Sequence, residues 1–359
     1  GATVVLGYGI SERLLPGLLH FARTPAATGR LEEPLTYWNA TGELAALGLV
    51  LCARLIGDAK RPAALRLLAV VASVPLGTGL YTSFSRGALF AWVAGLIVLL
   101  VAAPRREQLQ GLVVGSAAAV LGAAAAAPFK GVSGLTGSLT PREHQGAAVF
   151  VLLAGIAAAA SLVQWQLMRS EQGRALRLPR RAPWLALAVI CVGLAIAIVA
   201  GAKEGSGRPL GGGAGRLVTF SSNRYAYWKV AGRAFSNEPI RGVGAGGWAV
   251  WWLRYRSVNE FVQDAHSLPL QTAAELGLVG LALLAAFAAG LWLAAREANR
   301  RDWALAAGPI AGLACYAAHA PLDWDWQMPA VTLVAVVLAG ALLAQVGARD
   351  TPAQTLSGA

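Results

Sequence analysis

Charge is scarce in this sequence: Asp, Glu, Lys and Arg make up only 13% of the 359 residues, against about a quarter in an ordinary soluble chain. The apolar residues, 56% of the total, come in long runs instead of amphipathic stripes, and the mean hydropathy is +0.55. A soluble enzyme, a disordered protein and a fibrous repeat are thereby excluded. Cysteine is sparse as well. Cys52, Cys191 and Cys315 each sit inside an apolar run, and an odd, buried set predicts neither a disulfide framework nor a metal knuckle. No basic n-region with a cleavage site marks a signal peptide. The chain does not begin with Met, and residues 1–8 read as the end of a helix already under way, as in a piece whose earlier spans are missing. What remains is an all-α polytopic membrane protein.

A spanning helix needs about 20 mostly apolar residues. Nine stretches qualify, at 40–57, 63–82, 86–103, 108–128, 146–168, 183–202, 267–295, 303–320 and 328–347. Thirty Lys and Arg against eighteen Asp and Glu give a net charge of +12. In a soluble chain that excess would point to nucleic acid, which is not expected as a partner here. Many of the cations instead fill short turns: Lys60-Arg61, Arg105-Arg106, the cluster from Arg169 through Arg174, Arg177, Arg180 and Arg181, and Arg296, Arg300 and Arg301. All fall on one side if the spans alternate, and the positive-inside rule makes that side the cytoplasm.

The opposite face then holds one segment large enough for a structure of its own, residues 203–265. The expected organisation is membrane helices over 1–202, this external loop, membrane helices again over 266–348, and a cytoplasmic tail at 349–359. The loop carries nine Lys and Arg against three Glu over 203–263, and long loops are exempt from the charge rule. It opens on a Gly-rich stretch, 205–215. Ser221, Ser222 and Asn223 then offer N-caps for a helix running to about Ser236, stopped by Asn237-Glu238-Pro239. Tyr225, Trp228, Ala231 and Phe235 share one face, a pattern suited to an interfacial helix with aromatics among the headgroups. Gly242, Gly244 and Gly247 fit G-x-G-x-x-G, but no strand precedes them. With Trp248, Trp251 and Trp252 following, they read as an interfacial turn, not a dinucleotide loop.

Several ionisable residues call for a reason. Arg86 lies at the N-terminus of the third span, against the helix dipole and on the side that the charge bias disfavours. Snorkelling to the headgroups would explain it. So would an anion site made by the guanidinium and free helix N–H groups. His266 opens the seventh span beside Asp264, where a histidine is suited to proton transfer. Leu270, Ala273, Gly277 and Gly280 continue its face, and the glycines would admit a neighbouring helix. Glu275 is an ionisable group within a span. His319, Asp323 and Asp325 alternate with Trp324 and Trp326, which suits an aromatic belt better than a metal site.

In order along the chain come residues 30–44 (Arg-Leu-Glu-Glu-Pro-Leu-Thr-Tyr-Trp-Asn-Ala-Thr-Gly-Glu-Leu), Ser85-Arg86-Gly87 and Arg224-Tyr-Ala-Tyr-Trp. Gly242-Val-Gly-Ala-Gly, then His266-Ser-Leu-Pro-Leu-Gln-Thr-Ala-Ala-Glu-Leu-Gly-Leu-Val-Gly, then His319-Ala-Pro-Leu-Asp complete the series. This set resembles the O-antigen ligase superfamily, which includes O-antigen polymerases and protein O-oligosaccharyltransferases. The resemblance implies a GT-C-type, metal-independent glycosyltransferase of the bacterial inner membrane that needs no cofactor. Its partners would be a polyprenyl-diphosphate-linked glycan donor, a lipid, glycan or protein acceptor hydroxyl, and membrane lipids. It further implies that Arg86 and Arg224 bind the diphosphate and that His266 activates the acceptor on the external face. Asn39, Asp264, Glu275, Arg241, His319 and Asp323 are the remaining expected substrate contacts. Tyr37-Trp38-Asn39 stands where Gly-Asn-Pro-Asn is more usual. The chief rival is a transporter or flippase for anionic lipid-linked substrates, which should show repeated halves and broken helices near mid-membrane.

Overall fold

The computed structural model describes residues 1–170, 175–204, 214–217 and 222–347. Residues 205–213 of the Gly-rich stretch, Ser221, Arg174 and the tail 349–359 lie outside them. The described residues form helices and no strand: α1 (Ala2–Leu14), α2 (Trp38–Ile56), α3 (Ala63–Thr82), α4 (Arg86–Ala102), α5 (Arg106–Ala126) and the short α6 (Lys130–Ser133). There follow α7 (Leu139–Arg169), α8 (Ala182–Glu204), α9 (Arg224–Asn237), α10 (Gly247–Tyr255), α11 (Leu268–His319) and α12 (Pro329–Gly347). Six of them, α2, α3, α5, α7, α11 and α12, are long and apolar enough to cross a membrane. The protein is a polytopic membrane protein. α2 is the most enclosed of these six: α3, α4, α5 and α11 pack around it and 89% of its most apolar window is buried, whereas α7 and α12 bury only 17% of theirs, as membrane-spanning helices apolar all round can.

The basic turns gather at one end of this bundle. Arg54 of α2 donates to Asp58 (3.0 Å), to Gln108 (3.2 Å) and to the Ala304 carbonyl (2.7 Å). Leu176 N–H reaches the Pro104 carbonyl at 2.8 Å. The loops that the positive-inside argument put on one side are thus in mutual contact. At the other end, Arg13 holds the carbonyls of Val132 and Gly29, and Leu31 N–H bonds Thr82. Of the cysteines, Cys52 and Cys315 are buried but Cys191 is exposed, as an apolar thiol on a lipid-facing helix can be.

The long helix α11 departs from helical geometry at Gly277 and Asp302. The Asp302 carboxylate accepts Ala304 N–H at 2.9 Å and caps the returning half. The chain doubles back there, so that Leu268 N–H meets the Ala320 carbonyl at 2.9 Å. The break at Gly277 replaces the close helix approach expected from the sequence. Its freed backbone groups are taken up by the loop after α9: Val243 and Gly244 donate to Ala274 and Glu275, and Leu278 and Val279 donate to Pro239 and Ile240. The glycines at 242 and 244 therefore form part of a backbone interlock with α11.

A second correction concerns α9. Its buried face is Ala226, Tyr227, Val230, Ala231 and Ala234, and it packs on Trp248 and Trp252 of α10 and on Ala265 and Ala274. Of the face expected among the headgroups only Ala231 belongs to this buried set, while Tyr225, Trp228 and Phe235 stay partly exposed.

Candidate functional site

At the end of the bundle opposite the basic turns, one carboxylate draws three elements together. Asp323, fully buried in the turn between α11 and α12, pairs with Arg224, the first residue of α9. It also accepts the Tyr37 hydroxyl at 2.7 Å and Trp324 N–H at 2.8 Å. The Tyr37 oxygen in turn accepts the Asn39 amide at 2.8 Å. Burial opposes the charge on Arg224, but the Asp323 carboxylate outweighs it and raises the pKa. Burial likewise opposes ionisation of Asp323, and Arg224 above all overcomes it, holding the carboxyl below its ordinary range. Each charge is the reason the other persists.

His266 stands beside this pair. It precedes α11 with a positive φ of 54°, a conformation uncommon outside glycine and enriched in histidine. Its ring lies 5.1 Å from that of Tyr227 and 6.4 Å from that of Trp324. Nδ1 is 3.0 Å from the Asp264 carbonyl. A carbonyl can only accept, so Nδ1 carries the proton and Nε2 keeps the lone pair. Burial, reinforced by Arg224, outweighs Asp323 and Asp264 and lowers the pKa of His266 below its ordinary value. The Asp264 carboxylate accepts the amides of Gln271 (3.3 Å) and Gln327.

Gln271 also donates to Glu275 at 3.3 Å, linking the two acidic side chains along the first turns of α11. Arg241 is exposed on the interlocking loop. His319 is 1% exposed, inside the bundle. Its Nδ1 lies 3.0 Å from Asp325 and 3.9 Å from Glu43 of α2. Arg86 begins α4, whose Ser85 cap accepts Ala88 N–H at 3.3 Å. Its neighbour Gly87 lies against His319 and Leu322; a Cβ there would stand 2.8 Å from His319 Nε2. Arg86 thus shares this end of the bundle with Asp323. Arg224, Asp323 and Asn39 form one network with His266 at its edge, while His319 lies behind it.

Sequence reasoning passed over Tyr37, Tyr227 and Glu260. Glu260 accepts both the Tyr227 hydroxyl and, at 2.6 Å, the Asn223 amide. It thereby ties the residue before Arg224 to the ring beside His266. Among the described residues, no group of three or more His, Cys, Asp and Glu is arranged to hold a metal ion.

A protein-family model described as O-antigen ligase matches residues 143–285. The match includes Arg224, Asp264, His266 and Glu275, and it supports the O-antigen ligase and polymerase superfamily. No curated protein matches the chain.

Proposed function

We propose that the protein is a GT-C-type, metal-independent glycosyltransferase that moves a glycan from undecaprenyl diphosphate to an acceptor hydroxyl at the outer face of the bacterial inner membrane. Support for the coarser reading, O-antigen ligase-like glycan transfer by a multi-pass membrane protein, comes from the family match and the apolar helices. What supports the finer one is the setting of His266: Nδ1 stands 3.0 Å from the Asp264 carbonyl, which leaves Nε2 as the nitrogen able to accept a proton, beside the Arg224–Asp323 pair.

In the proposed reaction the acceptor hydroxyl gives its proton to His266 Nε2 as its oxygen bonds the anomeric carbon. The bond from that carbon to the phosphate oxygen breaks, and its electron pair leaves on the diphosphate. Arg86 and Arg224 neutralise the growing charge, a task for which guanidinium forks suit phosphate oxygens. Asp323 orients Arg224 for this work. One displacement inverts the sugar carbon.

The transporter reading draws on the break at Gly277, since broken helices mark transporter sites. In a transporter the freed backbone groups would face a ligand; here the 239–244 loop takes them up. Purified protein given a lipid-linked glycan and candidate acceptors should form a glycosylated acceptor and free lipid diphosphate. Movement of intact donor across vesicles without product would favour transport instead.

A further inference from the structure

The helix α10 has two unlike faces. Trp248 and Trp252 are wholly buried against α9, whereas Val250 and Leu253 are 67% and 52% exposed. Beside those apolar residues, Arg233 of α9 stacks on the Tyr255 ring at 3.8 Å, and Arg254 lies 5.2 Å from the same ring. Two like charges gathered on one ring repel each other. Among the described residues no carboxylate pairs with either of them. The two carboxylates described on this unit are Glu238, which is exposed, and Glu260, which is already held by Tyr227 and Asn223. Lys229 and Arg256 add exposed cations nearby.

We propose that this face of α10, with Arg233 and Arg254 on Tyr255, is a docking surface for the phosphate headgroups of anionic lipids. An anion between the arginines removes their repulsion. Exposed Val250 and Leu253 enter the acyl boundary just below, a use that neither a free phosphate nor an acidic protein surface would have for them. The height is right as well: the 239–244 loop bonds the unit to Ala274 and Glu275, near the start of a helix long and apolar enough to span. The surface uses neither Arg224 nor His266, so it stands or falls apart from the transfer reading. Its role is to seat the α9–α10 unit on the bilayer.

Hydrogen exchange of the whole protein tests this in three media: phosphatidylcholine nanodiscs, nanodiscs that also contain phosphatidylglycerol, and phosphatidylcholine nanodiscs with added inorganic phosphate. Each arginine at an anionic surface is worth roughly a fivefold preference, so residues 247–256 should exchange on the order of tenfold more slowly with phosphatidylglycerol alone. Arg233→Gln/Arg254→Gln should remove most of that difference, and Arg233→Lys/Arg254→Lys should keep most of it. Equal protection in both lipids, or a difference undiminished in the double glutamine variant, overturns the proposal. Equal protection by inorganic phosphate overturns the assignment to lipid.

Discussion

Gly277→Ala should dismantle the interlock that joins the two halves of the candidate site. Gly277 has φ 61° and ψ −154°, a region open to glycine almost alone, where another residue costs about 1–3 kcal/mol. Its added Cβ would also stand 2.4 Å from the Ile240 carbonyl oxygen and 2.7 Å from Gly242 N, both backbone atoms that cannot rotate away. The 239–244 loop must therefore withdraw, giving up bonds worth about 0.5–1.5 kcal/mol each. The combined loss is at least about 3 kcal/mol, or about a hundredfold at the least in the local opening equilibrium. Hydrogen exchange read at Val243, Gly244, Leu278 and Val279 should accelerate by that factor, and heat inactivation in detergent should come earlier. Gly290→Ala is the control. Nothing lies within 4 Å of its Cβ, and alanine inside a helix is favourable by roughly 0.5–1 kcal/mol. Unchanged exchange at the four amides in Gly277→Ala would refute the interlock.

Asp323→Ala would leave Arg224 and the Tyr37 hydroxyl without their shared acceptor. Losing one partner of a buried pair costs about 3–5 kcal/mol. Arg224 is 24% exposed, which lowers the expected loss to about 2–3 kcal/mol, measurable as a fall in thermal stability that Asp323→Asn partly restores. Glu260→Ala frees Tyr227 and Asn223, a loss of about 1–3 kcal/mol. It should lower turnover more than donor affinity in a transfer assay. The pH dependence follows from His266, whose pKa is lowered chiefly by burial. The base is lost only as pH falls through that lowered value, so the acid limb of the rate should lie below about pH 6.5, the ordinary histidine value. A limb at higher pH would show that the carboxylates prevail.

Hydropathy made the span positions legible because each span's burial is encoded in its own twenty residues. The expected stretches at 63–82 and 328–347 differ from α3 and α12 by at most one residue. Partnerships across the chain were not legible. Tyr37 acquires meaning from Asp323, 286 residues away, and no local pattern announces that. The break at Gly277 depends on backbone groups at 239–244, so periodicity carried the helix straight through it. That α9 is amphipathic was visible, but the face it buries depends on Trp248 and Trp252, some twenty residues downstream, and shares only Ala231 with the expected one. Arg224 and Asn39 came in only through the resemblance, whereas His266 and Asp323 stood out as ionisable residues at the ends of apolar spans. Glu260 sits in a polar loop and did not.

The central claim, that His266 is the base of a glycan transfer, is tested most directly by single-turnover transfer with donor binding measured in the same preparation. His266→Ala and His266→Gln should both bind the lipid-linked donor as the wild type does, since binding rests on the arginines. Both should transfer the glycan slower by a factor of about 10² to 10⁴. Glutamine retains a hydrogen bond but cannot take the proton. Transfer by His266→Gln at the wild-type rate would contradict the account and leave the imidazole only a positioning role.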